Sequence, residues 1–214
     1  VTQASDPGRD PELATLVAGT RGLQPWRRVF HAVNGVVLAG IVLAQVLSWA
    51  ALVGLLLLAT LAALSLDLVR FGVPAVNRLF FRVLQPLASP REAEGIASST
   101  WYLVGCLVAV AAFPREIAAG SILVLALADP AASWLGRRWG RRRLGSGSVQ
   151  GSGVFFAVAT AVLLPFVVTP AGIAGVLLAA AAATLVETFS GPFDDNLLIP
   201  LVTGAVLWTT LPLL

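Results

Sequence analysis

The 214-residue chain is 57% hydrophobic with 12% charged residues and has a mean hydropathy of +0.88, whereas soluble domains carry about 25% charged residues; an ordinary water-soluble core is excluded. The lone cysteine, Cys106, lies in an apolar run, so a disulfide framework is excluded too. All 14 basic residues are arginine and the net charge is +3, but they fall in short connections between apolar runs, which predicts anionic lipid headgroups and no nucleic acid as their partner.

In chain order, residues 1–28 are polar and punctuated by Pro and Gly, and Asp10-Pro11-Glu12 followed by Leu13, Leu16 and Val17 predicts a short amphipathic surface helix. No basic start, apolar stretch and small-residue cleavage site occurs there, so this segment and the N-terminus are expected in the cytoplasm. Residues 29–214 are expected to form one transmembrane domain. A helix crossing the hydrocarbon layer needs about 20 residues, and the apolar runs predict spans at 31–48, 49–69, 98–113, 115–135, 153–169, 171–188 and 196–213. The fold class is thus an all-α polytopic membrane bundle. The first two spans are fused in sequence and are divided at Leu47-Ser48, while Pro114 and Pro170 mark two further turns.

The connections carry a strong charge asymmetry. Arg9, Arg21, Arg27, Arg28, Arg70, Arg78, Arg82, Arg91, Arg137, Arg138 and Arg141 to Arg143 fall on one face, and Arg115 alone falls on the other. The positive-inside rule makes the first face cytoplasmic. Asp67, Glu92, Glu94, Asp129, Glu187, Asp194 and Asp195 share that face, which the rule does not require, and this gathering of carboxylates predicts a catalytic site there.

Asp129 lies near the end of the fourth span, where an ionisable group is costly and faces a polar cavity or a partner; the plainer reading is an ion pair, for example to Arg70. The Gly136–Gly153 connection, with Arg137, Arg138, Arg141, Arg142, Arg143, Gly145, Ser148, Gly151 and Ser152, combines guanidinium groups, exposed N–H groups and a helix start, a plausible polyphosphate cradle. It lacks the ending of a Walker loop, and its plainer reading is a flexible linker. Glu187 with Asp194-Asp195-Asn196 offers hard oxygens of the kind Mg²⁺ uses when it bridges phosphates; Asp195 or Asn196 could instead cap the last helix. Arg27, Arg28 and His31 precede the first span, and Asp67 with Arg70 (spaced to pair on a helix) and Arg91 with Glu94 bracket the second cytoplasmic connection. A lone histidine such as His31 is more often structural than catalytic.

The order of these pieces resembles the family of CTP-dependent lipid kinases that includes dolichol kinase, phytol kinase and the fungal type of diacylglycerol kinase. The resemblance runs from Arg27-Arg28-x-x-His31 through Asp67-x-x-Arg70, Arg91-x-x-Glu94 with Thr100-Trp101-Tyr102, Asp129 with Gly136, Gly151-Ser152, and Glu187 to Asp194-Asp195-Asn196 and Pro200. It implies that the loop after Asp129 binds CTP and that the γ-phosphoryl group passes to a membrane-embedded alcohol. On that reading Gly136, Arg137, Arg138, Arg141, Gly145, Ser148, Gly151 and Ser152 hold the nucleotide, and Asp194, Asp195 and Glu187 hold Mg²⁺. Asp129, Arg27, Arg28 and His31 face the reacting groups, with Asp67, Arg70, Arg91, Glu94 and Asn196 in support. Similar proteins carry a lysine where this chain reads Ser146-Gly147-Ser148 and often a glutamate where Gln150 stands, so phosphate charge falls to the arginines.

The acceptor is expected to be a polyprenol or phytol-type isoprenoid or diacylglycerol, and the small size points to a prokaryotic cytoplasmic membrane. The alternative enzyme is a cytidylyltransferase making a CDP-lipid from a lipid phosphate. A small transporter would place ionisable groups at the midplane on repeated, broken helices, which the sequence does not show. Oligomeric assembly is left open.

Overall fold

The computed structural model describes residues 10–22, 24–166, 170–189 and 193–210. Arg9, the Ser190-Gly191-Pro192 stretch and the end of the last predicted span lie outside the described residues. The chain is an all-α polytopic bundle, and five of its helices are long and apolar enough to cross a membrane.

Local chemistry sets the helix limits. In α1 (Pro11–Gly19) the Asp10 carboxylate accepts the Leu13 N–H at 3.1 Å and Pro11 occupies the first turn, where its missing N–H costs nothing. In α2 (Pro25–Ala44) Pro25 again opens the helix, so the first span starts at Pro25 and not at 31. Arg27, Arg28 and His31 therefore sit on its first two turns and do not precede it. Gln45, at φ 55°, ends α2 in a left-handed conformation, and Ser48 caps α3 (Trp49–Gly72) through the Ala51 N–H at 3.3 Å. The division at Leu47-Ser48 is confirmed.

The connection after α3 is not a plain loop, because α4 (Pro74–Leu84) occupies it with Asn77, Phe80 and Phe81 buried. Its apolar residues recur at helical spacing, a pattern obscured by its shortness and its two arginines. Helix α1 packs on α4, and Arg78 holds Asp10 at 2.6 Å while Arg82 holds Glu12. Leu13, Phe80, Phe81, Ala88, Ala93 and Ala97 form a small apolar cluster beneath this pair.

Next come α5 (Ser98–Ala112), α6 (Arg115–Trp139), a two-stranded hairpin of β1 (Arg143–Leu144) and β2 (Gly147–Ser148), α7 (Val149–Leu163), α8 (Pro170–Phe189) and α9 (Asp195–Thr210). At 1.5 Å per residue the 15 residues of α5 reach only about 22 Å, short of a hydrocarbon layer of about 30 Å, whereas the 24 residues of α3 exceed it. Helix α6 is central and packs against α2, α5, α7 and α9. Its most apolar stretch is 61% buried against 17% for α2, because Ala118, Ala119, Ala126, Ala128 and Ala132 let neighbours approach closely. At the periphery Leu55, Leu58, Leu61 and Leu68 of α3 and Leu178 and Leu185 of α8 are exposed, as a lipid-facing surface requires.

Candidate active site

Ends of α2, α6, α8 and α9 and the turn after α4 enclose a cavity of about 970 Å³ on the arginine-rich side of the bundle. Arg27, Arg28 and His31 of α2 line it, with Asp129 and Arg137 of α6, Gly145 and Ser146 of the hairpin, and Asp194, Asp195 and Asn196 at the start of α9. Arg91 and Glu92 enter from a 3₁₀ turn at Pro90–Ala93. Ile96, Trp101, Phe189, Phe193 and Leu197 give the cavity an apolar wall.

Asp129 is followed by Pro130 inside α6. A proline has no N–H to return to the carbonyl four residues back, Ala126, so this turn is held by packing with its neighbours as much as by its own ladder. The Asp129 carboxylate feels attraction from Arg28 and Arg27 and repulsion from Asp194. No ion pair joins it to Arg70. The Arg28 Nη1 atom is buried without a hydrogen-bond partner among the described residues, and Arg137 adds a like charge beside it. A buried guanidinium left in this condition favours an anion.

Asp194, rather than Asp195 or Asn196, is the cap of α9. Its carbonyl accepts the Leu197 and Leu198 N–H groups at 3.1 and 3.2 Å, and its Oδ1 accepts the Asn196 N–H at 3.0 Å and the Asn196 amide at 2.7 Å. Burial pushes its carboxyl above the usual range, offset by the Asn196 hydrogen bonds and by Arg27 and Arg91. Glu187 does not line the cavity, but it is close enough to Asp129 for their charges to repel, and its Oε2 accepts the Thr188 hydroxyl at 3.2 Å. Among the described residues no three Asp, Glu, His or Cys side chains form a ready-made metal cluster. Asp194 and Asp195 supply hard carboxylate oxygens, the ligand type that magnesium prefers.

The connection after α6 divides into parts with different work. Gly145, at φ +53°, sits in the two-residue turn of the hairpin, where a left-handed backbone is needed. Ser146 donates its N–H to the Thr188 carbonyl at 3.1 Å and its hydroxyl to the Glu187 carbonyl at 3.0 Å, satisfying two of the orphan acceptors at the end of α8. Ser148 caps α7 through the Gly151 N–H at 3.1 Å, and Ser152 shares a 2.8 Å hydrogen bond with Thr188. Gly136 and Gly151 meet where α6 crosses α7, so closely that a Cβ on Gly136 would lie 3.0 Å from the Gly151 Cα. The connection is therefore a pinned hairpin and not the flexible linker of the plainer reading. Gly136, Ser148, Gly151 and Ser152 build the crossing and do not line the cavity, and Arg138 and Arg141 line a separate hollow.

The supporting residues also separate. Arg70 is fully buried and binds Asp67 at 2.6 Å, Asn77 at 3.2 Å and the Glu92 and Gly95 carbonyls, between the faces of Phe71 and Phe80. Asp67 in turn accepts the Ala97 N–H at 3.1 Å and the Thr100 hydroxyl at 2.7 Å. The Asp67-Arg70 pair thus fixes the segment that presents Arg91, while Glu94 is exposed and outside the cavity. His31 stacks on Tyr102 with ring centroids 4.7 Å apart, and the Tyr102 hydroxyl donates to the His31 carbonyl at 3.1 Å. Sequence reasoning gave no role to Glu92, whose carboxylate accepts from Ser89 at 2.9 Å and lies 3.6 Å from Arg27. Burial raises its carboxyl above the usual range, with Ser89 and Arg27 pulling it back. The Ser89-Pro90-Arg91-Glu92 spacing of a capping box was the available signal.

The chain is 39% identical over 75 residues to CTP-dependent diacylglycerol kinase 1 of Schizosaccharomyces pombe, covering 35% of this chain and 34% of that protein. The protein of the same name from Eremothecium gossypii is 35% identical over 77 residues, 36% of this chain and 24% of its own length. That from Saccharomyces cerevisiae is 26% identical over 114 residues, 53% and 39% respectively. The likeness is to the CTP-dependent lipid kinase family. The chain spans roughly a quarter to two fifths of these kinases, and all three are fungal, so they lend no support to the prokaryotic source expected from size. No family model and no solved structure matches the chain.

Proposed function

We propose that this protein is a CTP-dependent lipid kinase that phosphorylates diacylglycerol at the cytoplasmic face of its membrane. The observation carrying this reading is the convergence of Asp129, Asp194, Arg27, Arg28, Arg91 and Arg137, brought from distant parts of the chain into one cavity with an apolar wall. The acceptor is taken from the names of the relatives, which favour diacylglycerol over a polyprenol or phytol. The cytoplasmic orientation is taken from the arginines, which gather at the cavity end.

Phosphoryl transfer asks a protein for positioning and charge neutralisation more than for covalent participation. Arg27, Arg28, Arg91 and Arg137 supply guanidinium groups for the polyphosphate, and the unpartnered Nη1 of Arg28 gains a partner when an anion arrives. Ile96, Trp101 and Phe193 shelter the glycerol end of the lipid. Asp129 accepts the proton of the alcohol as its oxygen bonds to the γ-phosphorus; the bond from that phosphorus to the bridging oxygen breaks, and CDP leaves with the electron pair. Asp194 and Asp195, with Glu187 nearby, are the residues that would hold Mg²⁺, which would supply charge neutralisation for the polyphosphate.

The test is a transfer assay on the purified protein with Mg²⁺, diacylglycerol, phytol or a polyprenol, and CTP or ATP labelled in turn at the γ- and α-positions. Phosphatidic acid labelled from γ-labelled CTP is the expected product. Label entering lipid from α-labelled CTP would instead reveal a cytidylyltransferase, and label on the isoprenoids alone would move the acceptor.

A further inference from the structure

The arginines after α6 part company at Arg137. That side chain lines the central cavity, whereas Arg138 and Arg141, with Trp139, Gly140 and Gln150, wall a second hollow of about 430 Å³. No carboxylate lines this hollow, and neither arginine forms an ion pair among the described residues. The Arg141 N–H donates to Gln150 Oε1 at 3.0 Å, tying the hollow to the first turn of α7 and leaving the Gln150 amide N–H groups as further donors.

The position of the hollow identifies what it faces. Helix α6 is long and apolar enough to cross a membrane, and Trp134 and Trp139, 58% and 59% exposed, stand at its end, the place where aromatic residues gather at a headgroup level. Leu127, Trp134 and Arg138 are spaced seven and four residues apart and so share one face of α6. Leu127 and Trp134 are exposed on it, an apolar track that ends at a pair of forked cations.

We propose that this hollow binds the phosphate of an anionic phospholipid from the adjacent leaflet, with its acyl chain along Leu127 and Trp134 and its phosphate between Arg138 and Arg141. Guanidinium forks suit a phosphate diester better than a point charge does. The inference rests on the membrane placement of α6 and not on the kinase reading, so either can fail alone. Its consequence is a protein that senses the surface charge of its membrane through a site separate from the one for the nucleotide.

The experiment compares spin-labelled phosphatidylglycerol with spin-labelled phosphatidylcholine on the purified protein in neutral mixed micelles, by electron paramagnetic resonance. The intact protein is expected to prefer phosphatidylglycerol, less so at high ionic strength, and the R138Q/R141Q variant to lose about twenty-fivefold of that preference, about fivefold for each arginine. The R142Q/R143Q variant, changed at exposed residues outside the hollow, is expected to keep most of it. CTP affinity, measured by calorimetry in phosphatidylcholine micelles, is expected to be the same in R138Q/R141Q as in the intact protein. An unchanged preference in R138Q/R141Q, an equal loss in R142Q/R143Q, or a tenfold loss of CTP affinity in R138Q/R141Q would each overturn the proposal.

Discussion

In the proposed reaction Asp129 is the proton acceptor, and the structure brings its carboxylate to the cavity from the central helix. Its neighbours pull in opposite directions: Arg27 and Arg28 stabilise the charge and Asp194 opposes it. Replacing it by Asn keeps the size and removes the proton acceptor, so kcat is expected to fall by roughly 10²- to 10⁴-fold, with membrane insertion and CTP binding retained. Near-normal turnover in D129N would assign the proton to another group. Asp129 was legible in sequence because an acid inside an apolar span is conspicuous. Glu92 was not, since in sequence it is one more charge in a charged connection, and only the fold shows it buried beside Arg27. Ser148 and Ser152 differ again: a hydroxyl near glycines suggests phosphate, and in the fold their oxygens cap α7 and bond Thr188 outside the cavity.

The elements were more readable than their ends. Each predicted span corresponds to a helix, because long apolar runs leave no other way to satisfy backbone hydrogen bonds in lipid. The helix limits moved where proline and side-chain caps decided them, as at Pro25, which carried Arg27, Arg28 and His31 onto α2. Helix α4 escaped notice because only one of its faces is apolar. The hairpin escaped too, since glycine and serine in a connection read as flexibility until the pairing partner is known. That hairpin has a consequence that can be measured. A Cβ at position 145 would overlap the Thr188 carbonyl and meet a backbone at φ +53°, and the left-handed conformation alone costs a non-glycine residue about 1–2 kcal/mol. Gly145→Ala is therefore expected to lower the thermal midpoint by about 5 °C or more and to reduce activity by loosening Ser146 from the end of α8. Ser146→Ala removes only the hydroxyl contact and is expected to cost less; a G145A protein as stable as the parent would show that the hairpin is not held in this form.

At the scale of the molecule, charge and apolar surface are sorted along the same axis. The helices alternate in direction, so the start of α2, the ends of α3, α6 and α8 and the start of α9 share one side, and with them lie the cavity and every described arginine except Arg115. Arg115 is at the opposite end, 5.4 Å from the ring of Trp49, near the turn between α2 and α3. A bilayer with anionic lipid on its cytoplasmic leaflet favours the orientation that turns the arginine-rich end toward the cytoplasm, and the proposed kinase reaction requires that orientation. The native Cys106 is buried, so introduced cysteines can report the orientation cleanly. In sealed cells a membrane-impermeant maleimide is expected to label Val46→Cys, at the exposed α2–α3 turn, and to reach Arg143→Cys only after the membrane is opened. Labelling of Arg143→Cys from outside would turn the molecule over and place the cavity on the side where no CTP is supplied, which would remove the nucleotide from the reaction proposed here while leaving the helix bundle as described.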